Sequence, residues 1–124
     1  MIAHTSVGVK DYSSAKEFYA KLLAPLGYVI GMDVPEYKAA GFKQGDKQDF
    51  WIGETEGASG VHVAFLAQSK DEVDSFHAAG ITAGGIDNGA PGYRKHYSAG
   101  YYASFIKDAD GSNIEAVWFD PEAK

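Results

Sequence analysis

The sequence predicts an α+β fold made of two copies of a βαβββ module that form a curved mixed sheet around a cleft. Three observations indicate it. A strand pattern carrying His4 opens the chain and returns 58 residues later at His62, each copy leads into a helix pattern, and each helix precedes short strands separated by Gly and Pro. A chain of 124 residues buries a core as one unit. We therefore expect a single domain over 1–124 with internal repeats of roughly 1–56 and 58–120.

The first module begins with a strand and a helix. Residues 2–9 alternate between helix-facing valines and a second face that carries His4 among small side chains. Ser14 followed by Glu17 is typical of a capping box, so we expect a helix that begins after Ser14 and ends by Gly27. Three short strands follow in the pattern, at 28–33, 37–43 and 48–53.

The second module repeats this formula. An offset of 58 residues carries His4 to His62, and apolar positions of the first helix fall on apolar positions of the second. Ser69 and Glu72 form another capping-box pattern. The repeat predicts that the second half folds as the first does.

The copies differ after the second helix. Residues 86–100 predict a glycine-rich loop that is longer than its counterpart, and the copies align again at Phe42 and Phe105. The final strand alternates an apolar face with a face that carries Glu115. This strand therefore presents a carboxylate in a largely apolar setting.

Composition excludes several classes of function. A net charge of −6 with scattered acids is unlike the basic face of a nucleic-acid-binding protein. The absence of cysteine excludes disulfides and thiol chemistry. The start of the chain has no basic segment followed by a long apolar run, so we expect neither a signal peptide nor a membrane span, and a cytoplasmic location.

Three side chains form a candidate metal site. By strand alternation, His4, His62 and Glu115 all lie on the sheet face away from the helices, which is the cleft side. Two imidazoles and a carboxylate with open positions are typical of a catalytic divalent metal such as iron, manganese, zinc or nickel. Taken singly, a strand histidine is more often hydrogen-bonded structure and a strand glutamate is usually solvated. The coincidence of all three, two of them at equivalent positions of the repeat, favours the metal.

The motifs resemble those of the vicinal oxygen chelate superfamily, which includes glyoxalase I, bleomycin-resistance proteins, extradiol dioxygenases and fosfomycin-resistance enzymes. The resemblance covers essentially the whole chain and is carried by the segments 4–11, 60–65 and 105–111 with Glu115 after them. It implies the glyoxalase-like fold, a divalent metal held by the histidine that opens each repeat and by the terminal glutamate, and a homodimer.

One departure separates the chain from glyoxalase I, in which the last strand of the first repeat supplies a further glutamate. Matching Phe42 to Phe105, with one residue of difference allowed in the turn, places Trp51 opposite Glu115, and Asp49 replaces that glutamate only if the register differs. We therefore expect three protein ligands and not strict glyoxalase I activity.

The resemblance implies an enzyme, of lyase, dioxygenase or transferase type, whose small substrate chelates the metal through adjacent oxygens. Trp51 is a candidate for the pocket wall, and the candidates for orienting an anionic or phenolic substrate are Arg94, His96, Tyr97, Tyr101 and Tyr102. The alternative for this loop is simple packing or a dimer contact. The alternative for the protein is a non-catalytic binding module of the bleomycin-resistance type. His77, on the second helix, is interpreted as structural.

Overall fold

The computed structural model describes residues 1–123 and contains two four-stranded sheets and two α-helices. The first half comprises β1 (Thr5–Val9), α1 (Tyr12–Leu23), β2 (Val29–Val34), β3 (Ala39–Lys43) and β4 (Phe50–Glu54). The second comprises β5 (His62–Leu66), α2 (Lys70–Thr82), β6 (Ile86–Tyr93), β7 (Tyr101–Lys107) and β8 (Asn113–Phe119). Both halves have the order βαβββ, which confirms the predicted fold. Neither helix is long and apolar enough to cross a membrane.

The two sheets have the same topology. Their strand orders are β1-β4-β3-β2 and β5-β8-β7-β6, with the first pair of each sheet parallel and the others antiparallel. Ser6 pairs with Trp51 in the N-terminal sheet, and Ala64, 58 residues after Ser6, pairs with Glu115 in the C-terminal sheet. Trp51 and Glu115 therefore occupy equivalent positions.

The expected match between Phe42 and Phe105 is wrong by one residue. Phe105 pairs with Glu115, whereas the residue that pairs with Trp51 is Gly41. Phe42 lies on the helix-facing side of its sheet, so its counterpart is Ile106. The apolar character of both phenylalanines hides this difference, because each sheet has an apolar cluster on its helix-facing side and the C-terminal sheet has a second one on the other side.

The helix starts follow the capping chemistry. Helix α1 begins at Tyr12, earlier than expected, because the Asp11 carboxylate accepts the backbone N–H of Ser14 at 3.1 Å and serves as the N-cap. The second capping box is confirmed: the hydroxyl of Ser69 accepts the N–H of Glu72 at 3.1 Å, and the Glu72 carboxylate accepts the N–H of Gln68 at 2.9 Å.

The predicted loop 86–100 is a strand in its first half. Residues 86–93 pair with β7 as β6, with two register shifts around Gly89. Glycine and proline weaken the strand pattern in the sequence, but an irregular strand accommodates them at its bulges. Only 94–100 connects β6 to β7.

Both helices pack on one face of the sheets and on each other. Their shared core includes Tyr19, Phe50 and Phe76. A Cβ at Gly80 of α2 would lie 2.8 Å from the Cδ1 of Leu22 on α1, so glycine permits this close approach. Among residues 1–123, no helix covers the opposite face of either sheet, and it is on this open face that Trp51, Tyr101 and Glu115 lie.

Candidate metal and substrate site

Glu115 is a buried carboxylate on the open face of the C-terminal sheet. Its side chain lies in the middle of β8 and is 1% exposed. A carboxylate removed from water requires polar partners. The Nε2 of His62 lies 2.8 Å from Oε1, and the hydroxyl of Tyr101 donates to Oε2. The carboxylate is thus held between an imidazole and a phenol.

The strand register brings these three groups together. β5 runs parallel to β8, and alternation places His62 and Glu115 on the same face. β7 flanks β8 on its other side, with Tyr101 on that face as well. The carboxylate therefore receives one partner from each neighbouring strand.

Aromatic rings surround this group. The Phe105 ring centroid lies 6.3 Å from the His62 ring, and Tyr101 makes edge contacts with Tyr97 at 5.0 Å and Phe119 at 5.4 Å. His96 stacks beside Tyr97 at 4.3 Å. The open face of the C-terminal sheet is consequently an apolar floor with a polar centre at Glu115.

Arg94 lies at the border of this floor. Its guanidinium is 5.2 Å from the centroid of Phe105 and donates to the carbonyls of Gly92 and Ala90, both at 2.8 Å. Among the predicted pocket residues, the structure thus brings Arg94, His96, Tyr97 and Tyr101 to one side of the sheet.

Tyr101 remains a hydrogen-bond donor over the physiological pH range. Burial raises the pKa of its phenol well above 10, and the hydrogen bond to Glu115 raises this pKa further, while the charge of Arg94 opposes both. A neutral phenol beside a carboxylate donates its proton in a hydrogen bond and orients the acceptor oxygen. Tyr101 therefore fixes the position of Glu115.

His4 is not part of this group within one chain. It precedes β1 with an exposed side chain, and it lines a cleft of about 540 Å³ together with His62 and Asp49. Within residues 1–123, no three histidine, cysteine, aspartate or glutamate side chains are close enough together to hold a metal ion. The expected convergence of all three ligands is therefore not seen among residues 1–123 of a single chain.

Trp51 occupies the position equivalent to Glu115 in the N-terminal sheet. Its ring lies over Gly41, where a Cβ would come within 2.8 Å of it. Asp49 is exposed and accepts a hydrogen bond from the hydroxyl of Tyr28 at 3.1 Å. The first module thus presents an indole where the second presents a carboxylate.

Tyr102, expected in the pocket, faces the helices instead. Its hydroxyl donates to Asp74 of α2 at 2.5 Å, and its ring lies under Lys70. Neighbouring residues of a strand point to opposite faces, so Tyr101 and Tyr102 cannot both reach the pocket. His77 is hydrogen-bonded to Asp87 at 2.9 Å, away from Glu115.

Sequence reasoning missed two rings of the site, Phe105 and Phe119. Period-two alternation contains the necessary signal, because Phe105 and Tyr101 are four residues apart on β7 and so share a face. The role of Tyr101 as the partner of Glu115 was also missed, since it depends on the pairing of β7 with β8.

The His62–Glu115 pair has the chemistry of two metal ligands. Histidine nitrogen and carboxylate oxygen bind zinc at about 2.0–2.2 Å, which puts two adjacent ligand atoms of a tetrahedral site about 3.4 Å apart. The observed separation of 2.8 Å is that of a hydrogen bond, so the two side chains would move slightly apart to bind one ion. The two residues fit one edge of a coordination shell, and a third protein donor is needed to complete it.

Comparison with known proteins shows the family to which this fold belongs. No protein-family model and no curated protein matches the sequence. A solved glyoxalase/bleomycin resistance protein from Albidiferax ferrireducens is 30% identical, with a TM-score of 0.81 over 94% of this chain and 97% of that one. The chain belongs to the vicinal oxygen chelate superfamily. The predicted membership is confirmed.

More distant members of this superfamily share the fold. A glyoxalase/bleomycin resistance protein/dioxygenase family enzyme from Burkholderia phytofirmans is 15% identical, with a TM-score of 0.71 over 96% of this chain and 98% of that one. A lactoylglutathione lyase from Agrobacterium tumefaciens is 18% identical, with a TM-score of 0.70 over 95% of this chain and 92% of that one. At these identities the likeness extends to architecture and not to reaction.

Proposed function

We propose that the protein is a metal-dependent enzyme whose small substrate binds the metal through adjacent oxygens, and that it does not perform the strict glyoxalase I reaction. The observation that carries this proposal is the buried carboxylate of Glu115, with the His62 Nε2 2.8 Å from one oxygen. The carboxylate is already fixed in place and the imidazole beside it is exposed, so the pair is partly arranged for a cation that enters from solvent. Trp51 in place of a fourth ligand supports the distinction from glyoxalase I.

The chain's own residues would hold the metal as follows. The ligand atoms would be the Nε2 of His62 and the Oε1 of Glu115. Tyr101 keeps its hydrogen bond to Oε2 and fixes the carboxylate, as outer partners of metal ligands commonly do. A divalent metal such as iron, manganese, zinc or nickel supplies Lewis-acid polarisation of the bound oxygens.

The third ligand in this proposal is His4 of the partner subunit in a homodimer. His4 is exposed and has no hydrogen-bonded side-chain partner among residues 1–123. The open face beside Glu115 also exposes the apolar side chain of Leu66, which is 60% accessible and favours contact with a second copy. A two-fold symmetric pair would contain two equivalent sites.

Metal binding tests the proposal directly. Calorimetric titration of chelator-treated protein with Mn²⁺, Zn²⁺ and Ni²⁺ should reveal one site per chain. His62→Ala and His4→Ala should each weaken it at least tenfold, by analogy with the 10–100-fold cost of disturbing even the outer partners of a metal. His77→Asn, which alters a histidine on α2, is the matched control and should leave affinity unchanged. Absence of any stoichiometric site in the unmodified protein would overturn the proposal.

Subunit mixing tests the origin of the third ligand. A dimer that pairs one His4→Ala chain with one Glu115→Gln chain has one doubly damaged site and one intact site if each site spans two chains. Random mixing of the two inactive variants should then restore about a quarter of the wild-type sites, by the statistics of a two-fold dimer. No recovery would assign His4 to the same chain or remove it from the site.

A non-catalytic binding protein is the second candidate. It is favoured by the separation of His4 from the His62–Glu115 pair and by the aromatic floor around Glu115. In that case, ligand binding by the metal-free protein should be the same for the wild type and for His62→Ala. Ligand affinity that depends on both the metal and His62 favours the enzyme.

A further inference from the structure

Arg94 is the only arginine in the chain, which otherwise carries ten lysines. It lies in the short connection between β6 and β7, beside the floor that contains Glu115. Arginine differs from lysine in its planar fork of five N–H donors, which matches a carboxylate in two parallel hydrogen bonds. The chain thus uses its one guanidinium next to the candidate site.

The backbone around Arg94 is shaped to hold the guanidinium. The carbonyl of Gly92 accepts from Nη1 and the carbonyl of Ala90 accepts from Nη2, while the Phe105 ring supports the group from one side. A Cβ at Gly89 would lie 3.0 Å from Nη2 and 2.7 Å from Cδ1 of Phe105, and one at Gly92 would lie 3.2 Å from Nη1. Two glycines therefore leave the space that the guanidinium occupies.

The positive charge of Arg94 has no counter-ion in the part of the chain that the structure describes. Within residues 1–123 it makes no ion pair, although the chain has a net charge of −6 and lysines at 16, 21 and 38 are each paired. Its two observed hydrogen bonds go to neutral carbonyls, which leaves donors of the fork free. A half-buried, prearranged cation without a carboxylate partner is suited to receive one from a ligand.

The surroundings of Arg94 suit an apolar body attached to that anion. Phe105 contacts Arg94 on one side and His62 on the other, so the guanidinium and the metal-ligand pair lie on the same floor. The rings of Tyr97 and Phe119 are 60% and 54% exposed on this face, although both already pack against Tyr101. A small ligand that reached from Arg94 toward His62 would cover these rings.

We propose that Arg94 determines substrate specificity by binding the carboxylate of a small organic acid whose apolar body packs on the exposed rings of Tyr97 and Phe119. The identification of this acid as the substrate rests on the proposed function. Its binding to Arg94 does not require the metal, so the two proposals fail separately. The global charge of −6 disfavours anions at long range, which makes one local guanidinium decisive for their capture.

Benzoate tests the carboxylate site, with benzamide as its neutral isostere. Chelator-treated protein is titrated with each probe and followed by NMR shifts of amides on β7 and β8. Benzoate should bind at least tenfold more tightly than benzamide, since hydrogen bonds between charged partners are roughly twice as strong as neutral ones. Arg94→Gln should remove this preference, and Arg94→Lys should lose about fivefold in benzoate affinity because the ammonium lacks the fork.

Lys70→Gln is the matched control. Lys70 lies 5.3 Å from the centroid of Tyr102, a geometry like that of Arg94 over Phe105, but on the helix side of the same sheet. Lys70→Gln removes one positive charge, as Arg94→Gln does, and should leave benzoate affinity unchanged. An equal loss in Lys70→Gln and Arg94→Gln would reduce the effect to net charge and overturn the proposal.

Three further outcomes decide it. Equal affinity for benzoate and benzamide in the wild type, or full benzoate affinity in folded Arg94→Lys and Arg94→Gln, would overturn it. Tighter binding of inorganic phosphate than of benzoate would overturn the assignment to a carboxylate. A preference for benzoate that disappears in Arg94→Gln, in a protein that binds no divalent metal, would support the anion site while the proposed enzyme fails.

Discussion

The two sheets have one topology and different chemistry at equivalent positions. In the N-terminal sheet the indole of Trp51 lies over Gly41, and in the C-terminal sheet Glu115 lies beside Phe105. Each pair combines an aromatic ring with a residue that has none. In the N-terminal sheet the ring is on the last strand of the module, β4, and in the C-terminal sheet it is on the strand before the last, β7. The aromatic surface is thus kept in both modules while only the second gains a carboxylate.

The two opening histidines show the same asymmetry. Both histidines are exposed and line the same cleft, but His62 lies 2.8 Å from a carboxylate oxygen whereas His4 has no hydrogen-bonded side-chain partner among residues 1–123. Equivalent places in a duplicated scaffold therefore differ in the groups that surround them. Function follows the neighbours of a residue as much as its position in the repeat.

The strongest test replaces each of the two equivalent residues, Glu115 and Trp51, in a separate variant. Glu115→Gln should weaken divalent-metal affinity about 100-fold or more, because a neutral amide replaces an anionic ligand and even outer-partner changes cost 10–100-fold. Trp51→Phe, at the equivalent place, should change it less than twofold. Calorimetric titration with Mn²⁺ measures both, and similar losses in the two variants would contradict the division between the modules.

The next test removes a tyrosine hydroxyl in each module. Tyr101→Phe leaves an oxygen of the buried Glu115 without its donor and should lower the free energy of unfolding by about 1–3 kcal/mol. Tyr28→Phe removes a bond to the exposed Asp49, which water replaces, and should cost less than about 0.5 kcal/mol. Urea unfolding of the metal-free variants measures both losses of unfolding free energy. Equal losses would contradict the role of the Tyr101 hydroxyl in stabilising the buried Glu115 carboxylate.

A smaller effect is expected from the glycines beneath the two open faces. Gly89→Ala presses a Cβ against Phe105 and Nη2 of Arg94, so benzoate affinity should fall by about fivefold, well within the 10²-fold cost known for small misplacements. Gly41→Ala presses against Trp51 instead and should spare benzoate binding. NMR titration of both variants checks this, provided that each retains a dispersed spectrum. Unchanged benzoate affinity in Gly89→Ala would contradict the inference that the glycines around Arg94 hold its guanidinium in place.

The smallest effect concerns the helix side of the C-terminal sheet. Burial, with the hydrogen bond to Asp74, raises the pKa of Tyr102 to about 12. A phenol titrates at about 10 when unfolded, so the stability from its neutral form is complete below pH 10 and is lost as the pH rises toward 12. Tyr102→Phe should flatten this alkaline decline and leave metal and benzoate binding intact. Tyr37→Phe, on an exposed turn, is the control.

The fold and half of the site can be predicted from the sequence because both depend on local periodicity. Alternation in β5 and β8 puts His62 and Glu115 on one face, and the repeat indicates that these strands pair as β1 and β4 do. The equivalence of Trp51 and Glu115 follows in the same way. These features need no knowledge of how the two modules pack.

Other features depend on contacts that a repeat pattern does not contain. Adjacent tyrosines 101 and 102 fit either face until the pairing of β7 is known. Likewise, Asp11 and Ser14 both suit an N-cap, and the choice depends on where β1 ends. The distance between His4 and Glu115 depends on how the two modules pack together, which the repeat pattern does not contain.

The contact between the modules has a consequence for how the chain folds. Tyr19 of α1 donates to the buried Asp108 of the second module at 2.6 Å, and Gly80 admits Leu22 against α2. These interactions hold the two halves of the chain against each other. We therefore expect the two halves to fold as one cooperative unit, so that a fragment ending near residue 58 remains unfolded until the complementary fragment is added.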